Sequence, residues 1–261
     1  MNQDEKIKTK KRIAIFASGS GTNFQQICEY FHDDADITVD VLIVNKEKAY
    51  VRQRARNLGV EDYYFNREDF YHTNKIVDLL LSRGVDLIVL AGFLWLVPEN
   101  LLSAFPNKII NIHPALLPHY GGKGMYGHNV HEAVIAAHEK ESGITIHYVN
   151  EHYDSGDIIF QAKCELTDRD TVESLEEKIH LLEKEYYPKT KERELRYLSS
   201  PGMREDGLPL ICFLVPKRLR ESGEQAFRTM RTSFLYGEQN LLQVVRHFLY
   251  NKTPIHENES A

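Results

Sequence analysis

Cysteine is scarce in this chain. Cys28, Cys164 and Cys212 are odd in number, far apart, and never spaced as a Cys-x-x-Cys pair. That excludes a disulfide framework and a thiolate-based structural zinc site. His128 and His131, three apart, are the one pair suggestive of metal, but no third ligand is in view. They read as a helix cap and a surface residue, and no metal is expected. No apolar run is long enough to span a membrane. The first eleven residues are polar and lysine-rich, without an apolar core of signal-peptide length. Positive charge is not in excess either. The formal net charge is −6, which argues against a general nucleic-acid-binding or anionic-membrane surface. No internal repeat is visible. The expectation is a cytoplasmic protein with small-molecule partners, no nucleic acid and no membrane. A homo-oligomer is left open.

What is present suits a soluble globular protein. The chain has 261 residues, 42% of them apolar and 27% charged, enough for one large domain or one domain with an appendage. Apolar, β-branched runs at 12–17, 37–44, 63–65, 86–90 and 108–113 read as strands. Between them lie helical patterns. One starts after Asn23, with Phe24, Ile27, Cys28 and Phe31 inward; one spans 50–58 and stops at Gly59. A single longer helix is expected over 67–83, with Phe70, Ile76, Leu79 and Leu80 inward and Gly84 ending it. A helix over 130–138 and strands over 143–149 and 158–165 follow. A long helix then begins at Thr171, with Leu175, Ile179, Leu182 and Tyr186 at helical spacing. Strands alternating with helices imply right-handed crossovers. The fold class is therefore α/β: a Rossmann-like, open, mostly parallel twisted sheet with helices on both faces, plus a C-terminal extension.

Several stretches carry chemistry. In Lys108-Ile109-Ile110-Asn111-Ile112-His113-Pro114-Ala115-Leu116-Leu117-Pro118, a buried strand emerges into a loop stiffened by two prolines. Asn111 and His113 are two apart, so they point to one side of the strand. An amide beside an imidazole at the carboxyl end of a parallel strand sits where open α/β sheets bind ligands. It can stabilise an oxyanion and move a proton, although a satisfied buried histidine beside a turn-forming Asn has the same pattern. Ser18-Gly19-Ser20-Gly21-Thr22-Asn23 joins the first strand to a helix start, whose free N–H groups favour an anion. The competing reading is a plain glycine turn with a Ser or Thr cap. Ala91-Gly92-Phe93-Leu94-Trp95-Leu96-Val97-Pro98 follows the fourth strand and reads on its own as core joining strand to helix. In 119–128 four glycines mark a loop rather than core. It either folds over a substrate, with Lys123 near a phosphate or ribose, or lies inert on the surface.

Taken together, these motifs resemble the folate-dependent formyltransferases. Asn111 to Pro118 is similar to that family's Asn-x-His-Pro-Ser-Leu-Leu-Pro signature, with Ala115 in place of Ser. Leu90 to Phe93 resembles its Leu-Ala-Gly-Phe motif. The strand with His147, the short acidic loop 150–157 and Gln161-Ala162-Lys163 also match, as does Glu183-Lys184-Glu185-Tyr186-Tyr187-Pro188. The resemblance covers about 12–197, which divides the chain into a polar leader (1–11), a formyltransferase domain (12–197) and an extension of unknown role (198–261). It implies 10-formyltetrahydrofolate as co-substrate, no metal, and the amine of 5'-phosphoribosylglycinamide as acceptor. It implies catalytic roles for Asn111, His113 and Asp154, with Asp154 raising the pKa of His113 and His147 a structural hydrogen bonder nearby. It implies phosphate binding by Gly21, Thr22 and Asn23, and ribose binding by Glu183, which helical pattern alone would leave as a solvated charge. It implies folate binding by Phe93, Leu94, Trp95, Leu96, Val97 and Asn111. Trp95 stands where a basic residue is expected, which bears on the folate tail. Alternatives are a methionyl-tRNA formyltransferase or another folate-dependent formyltransferase, and, from a different class, a non-catalytic nucleotide-binding module. The extension has a linker signal at 199–202, an apolar segment bracketed by Pro209 and Pro216, partly helical spacing over 227–250, and a tail from 256 expected to be disordered.

Overall fold

The computed structural model describes residues 10–198. Apart from Leu198, the expected extension lies outside the described residues, as do the first nine residues of the leader. The element order is β1 (Lys11–Ala17), α1 (Thr22–Tyr30), β2 (Ile37–Val44), α2 (Val51–Asn57), β3 (Glu61–Tyr64), α3 (Arg67–His72), α4 (Lys75–Ser82), β4 (Leu87–Leu90), α5 (Glu99–Ala104), β5 (Ile109–His113), α6 (His128–Ala136), β6 (Glu141–Tyr148), β7 (Ile158–Glu165) and α7 (Val172–Leu198). The seven strands form one sheet in the order β3-β2-β1-β4-β5-β6-β7. The pairs from β3 to β5 are parallel, while β6 runs antiparallel to both β5 and β7. The mostly parallel α/β sheet expected above is what forms.

Alternation along each strand sends side chains to two separate cores. On one face, Ile13, Ile15, Val89, Ile110 and Ile146 pack with α1, α2, α6 and α7. On the other, Ala14, Phe16, Ile88, Leu90 and Ile109 pack with α3, α4 and α5. Helices therefore cover both faces. The long helix α7 presents Leu175, Ile179, Glu183, Tyr187, Lys191 and Leu195 to the core, four residues apart, and continues through Pro188.

One expected element is broken. The helix predicted over 67–83 is two helices, α3 and α4, because Thr73 is extended (φ −133°, ψ 166°). The apolar period runs on through this point, but side-chain hydrogen bonds compete with the ladder. The Thr73 hydroxyl donates back to the Asp69 carbonyl (2.8 Å) and accepts from Lys75 N–H (3.3 Å). The Asn100 amide, from α5, donates to the Thr73 carbonyl (3.1 Å).

Candidate active site

A cleft of about 600 Å³ runs along the carboxyl ends of β1, β2, β4 and β5, closed on its far side by α6 and α7. It straddles β1, which has β2 on one side and β4 on the other. That is the place where successive connections depart to opposite faces, and where open α/β sheets bind ligands.

Asn111 and His113 enter the cleft from β5, and their cross-strand neighbours on β6 are His147 and Thr145. His147 lies 2.8 Å through Nδ1 from the Tyr148 carbonyl. A carbonyl only accepts, so Nδ1 carries a proton. Nε2 lies 3.1 Å from Asn111 Nδ2 and 3.7 Å from Asp154 Oδ1, and Asn111 Nδ2 also points a proton at Asp154 Oδ1, 3.4 Å away. Asp154 Oδ2 accepts from the Gly122 N–H (3.0 Å) and lies 3.5 Å from His113 Nδ1. The same logic applies to His113, whose Nε2 donates to the Tyr120 carbonyl at 2.7 Å. Asp154 is more than forty residues from Asn111 and His113 in sequence; the β5–β6 register and the turn after β6 bring them together.

The loop carrying Pro114 and Pro118 is pinned from beneath. The fully buried Thr145 hydroxyl accepts from Leu117 N–H (3.0 Å) and from the Gln161 amide (2.9 Å), and donates to the Ala115 carbonyl (2.7 Å). All its hydrogen-bonding capacity is used. Gln161 also donates to the Leu117 carbonyl (3.0 Å).

Asp154 raises the His113 pKa, as expected, but the electrostatics correct the expectation that the resting ring is charged. Burial is the larger effect: it pushes the His113 imidazole below its ordinary value, and the Asp154 carboxylate and Tyr120 carbonyl offset only part of that. His113 is 3% exposed, so the cost of desolvating the imidazolium wins. The resting ring is neutral near neutral pH. Asp154 itself is pushed up by burial, but His147, His113 and the Gly122 N–H together hold it below its ordinary value, and it is ionised.

Ser20, Thr22 and Asn23, at the start of α1, also line the cleft. Neither Ser nor Thr caps this helix, so the plain-cap reading does not apply. Gly21 is buried behind the wall with φ +78°, and a Cβ there would run into the Val51 side chain. Glu183 is 8% exposed, lines the cleft and is hydrogen-bonded by the Asn23 side chain; burial raises its pKa. It is not the solvated charge that helical spacing alone suggested.

Phe93, Leu94, Trp95, Leu96 and Val97 all line the cleft. Their loop is fastened by Ser18 N–H to the Gly92 carbonyl (3.1 Å), Leu94 N–H to Ser18 Oγ (3.1 Å) and Tyr71 OH to the Leu96 carbonyl (3.1 Å). Trp95 is half-buried against Phe70 and Tyr71, with the Arg67 guanidinium 5.6 Å from its ring. The glycine-rich loop contributes 122–127 to the wall, with Lys123 exposed.

His131 is a second correction. It is not a surface residue but 3% exposed, at the cleft wall, with Nδ1 lacking a hydrogen-bond partner among the described residues. Its signal was legible: Val130 and Val134 put His131 on the inward face of α6. Lys46, Glu176 and His180 also line the cleft, and nothing in their local sequence marked them. Among the described residues, no group of three His, Cys, Asp or Glu side chains is arranged to hold a metal.

The formyl transferase family model matches residues 11–190. A chloroplastic phosphoribosylglycinamide formyltransferase of Arabidopsis thaliana is 39% identical over 213 residues, covering 77% of this chain and 70% of the relative. The phosphoribosylglycinamide formyltransferase of Bacillus subtilis is 37% identical over 183 residues, 68% of this chain and 91% of the relative. Among solved structures, glycinamide ribonucleotide transformylase 1 from Geobacillus kaustophilus matches with a TM-score of 0.64 and 37% identity, over 71% of this chain and 99% of that one. The corresponding protein from Symbiobacterium toebii gives 0.65 and 34%, over 72% and 89%. By the span of the family model and the identity to these relatives, this chain belongs to the formyl transferase family.

Proposed function

We propose that this chain transfers the formyl group of 10-formyltetrahydrofolate to the primary amine of 5'-phosphoribosylglycinamide, a step of de novo purine biosynthesis. Relatives named for this activity support the reading. The observation that carries it is the convergence of Asn111, His113 and Asp154 in a cleft that an open helix start and an apolar loop also line.

The wall formed by Phe93, Leu94, Trp95, Leu96 and Val97, with Leu90, Ile112 and Val149 nearby, suits a flat heterocycle. These five loop residues and Asn111 would hold the folate. The backbone turn at Gly21, with Thr22 and Asn23, would hold the acceptor's phosphate at the helix N-terminus, and Glu183 its ribose hydroxyls.

The amine attacks the formyl carbon directly. No protein nucleophile is needed, and among the described residues no cysteine lines the cleft. The tetrahedral intermediate carries an oxyanion. Asn111 donates to it from Nδ2, a group already aimed at an oxygen of Asp154. Asp154 accepts the proton that leaves the amine and passes it to His113 Nδ1. The ring becomes imidazolium as negative charge develops beside it, and the proton finally goes to N10 of the departing tetrahydrofolate. Loss of one oxyanion donor costs on the order of 10²–10³ in turnover.

The test is release of tetrahydrofolate from 10-formyltetrahydrofolate with and without phosphoribosylglycinamide, beside thermal stabilisation by that nucleotide or by methionyl-tRNA. The expected result is nucleotide-dependent release and stabilisation by the nucleotide. Release that ignores the nucleotide, or stabilisation by tRNA alone, overturns the reading.

A further inference from the structure

His131 lies on the first turn of α6 and lines the same cleft as Glu176, His180 and Glu183 of α7, the helix that α6 packs against. Its ring is 3% exposed. Nδ1 is sealed from solvent and has no hydrogen-bond partner among the described residues. Buried polar groups that serve packing alone are normally hydrogen-bonded. His113 and His147, buried to the same degree in the same cleft, follow that rule: each ring reaches a backbone carbonyl, at 2.7 and 2.8 Å. His131 makes no such bond, and packing leaves its polarity unexplained.

The missing partner fixes the tautomer. A proton on Nδ1 would be stranded without an acceptor, which is a rarer and costlier arrangement than an unused lone pair. The proton therefore belongs on Nε2. That is also the nitrogen left to meet whatever occupies the cleft. Burial holds the imidazole below its ordinary value against the pull of Glu176, so near neutral pH the ring is an uncharged donor.

An uncharged donor suits an uncharged oxygen. A phosphate is better served by the helix start at 21–23, and ribose hydroxyls by the carboxyl group of Glu183. His131 is close enough to feel His113 on β5 as well as Glu176 and His180 on α7. It thus neighbours both the group assigned to the amine and the α7 face that carries Glu183. In the acceptor, amine and ribose are joined through a single amide, whose oxygen is the one uncharged carbonyl of the molecule.

We infer that His131 is a binding residue for the acceptor: its Nε2–H donates to the carbonyl oxygen of the glycinamide, between the amine and the ribose. This rests on the acceptor proposed above.

The experiment uses the full chain and two variants. His131→Phe keeps a ring and removes the donor; His131→Gln keeps a donor near the position of Nε2. His131→Phe is expected to raise KM for phosphoribosylglycinamide by about two- to tenfold, the range for one hydrogen bond between uncharged groups. Saturated kcat and KM for 10-formyltetrahydrofolate should stay unchanged, and His131→Gln should recover most of the loss. The second probe is phosphoribosylglycinamide with sulfur in place of the amide oxygen, a poor acceptor. Wild type should bind it more weakly than the amide by a similar factor, whereas His131→Phe should scarcely distinguish the two. Equal losses in the Phe and Gln variants, or a Phe variant that still discriminates against sulfur as wild type does, overturn the inference. Should His131→Phe not fold, nitrogen-15 shifts of the wild-type ring decide: saturating nucleotide should move Nε2 and leave Nδ1, and an unmoved Nε2 overturns the inference. A wild-type chain that binds no phosphoribosylglycinamide removes the proposed acceptor and this contact together. A wild-type chain that binds it, with His131→Phe indifferent, removes this contact alone.

Discussion

Replacing Asp154 by Asn keeps the shape of the side chain and removes its charge. Oδ2 lies 3.5 Å from Nδ1 of His113, with the imidazole side chain 3% and the carboxylate side chain 10% exposed. At an effective dielectric constant of about 20, two unit charges at that separation attract by roughly 4–5 kcal/mol. Part of this is offset by the desolvation both groups have already undergone, and one such neighbour typically moves a pKa by about 1–3 units. His113 already titrates below its ordinary value, so losing Asp154 lowers it again. The imidazolium becomes about tenfold to a thousandfold rarer at neutral pH. If His113 must be charged as the oxyanion forms, the single-turnover rate of formyl transfer falls in proportion, with little change in substrate binding. The assay is rapid-quench single turnover across the acid and neutral range, with urea unfolding to establish that the variant is folded. Acid should not restore the variant, because a ring already protonated from bulk cannot take up the proton that leaves the amine. A folded variant that binds both substrates and turns over at near wild-type rate at neutral pH refutes the reasoning.

Two more outcomes can be checked by unfolding. Thr145→Val removes the hydroxyl that serves Leu117 N–H, the Ala115 carbonyl and the Gln161 amide at a site with 0% exposure. Leaving those groups unpaired should cost about 2–4 kcal/mol and lower Tm by about 5–15 °C; a shift of a degree or so would mean the network does not hold the loop. His131 is buried with its pKa pushed down by desolvation. Between that lowered value and the ordinary value of about 6.5, the unfolded chain binds the extra proton, so stability falls as pH falls through this window. His131→Asn should flatten that slope by up to about 1.4 kcal/mol per pH unit, measured by urea unfolding at a series of pH values; equal slopes in the two proteins would show the ring is not buried as a neutral base.

Much of the fold was legible because strands and helices write their burial into sequence period. The continuous runs around Ile13 and Ile88 could only be strands covered on both faces. The alternation of Asn111 and His113 sent both to one side before any partner was known. The split of 67–83 was not legible, because Phe70, Ile76 and Leu80 keep one apolar rhythm across it. The hydroxyl of Thr73 and the amide of Asn100, a residue from another helix, decide where that rhythm breaks.

The sequence by itself determined the parallel α/β order of elements and, at Asn111, His113 and the 18–23 turn, part of the cleft lining. Local spacing and side-chain chemistry suffice for that. Only the tertiary structure decided the charge state of His113, the burial of His131 and Glu183, and the enclosure of Lys191. A charge's energy depends on how much water surrounds it and on which charges lie across the fold, and neither depth nor cross-chain distance is encoded in the residues next to it.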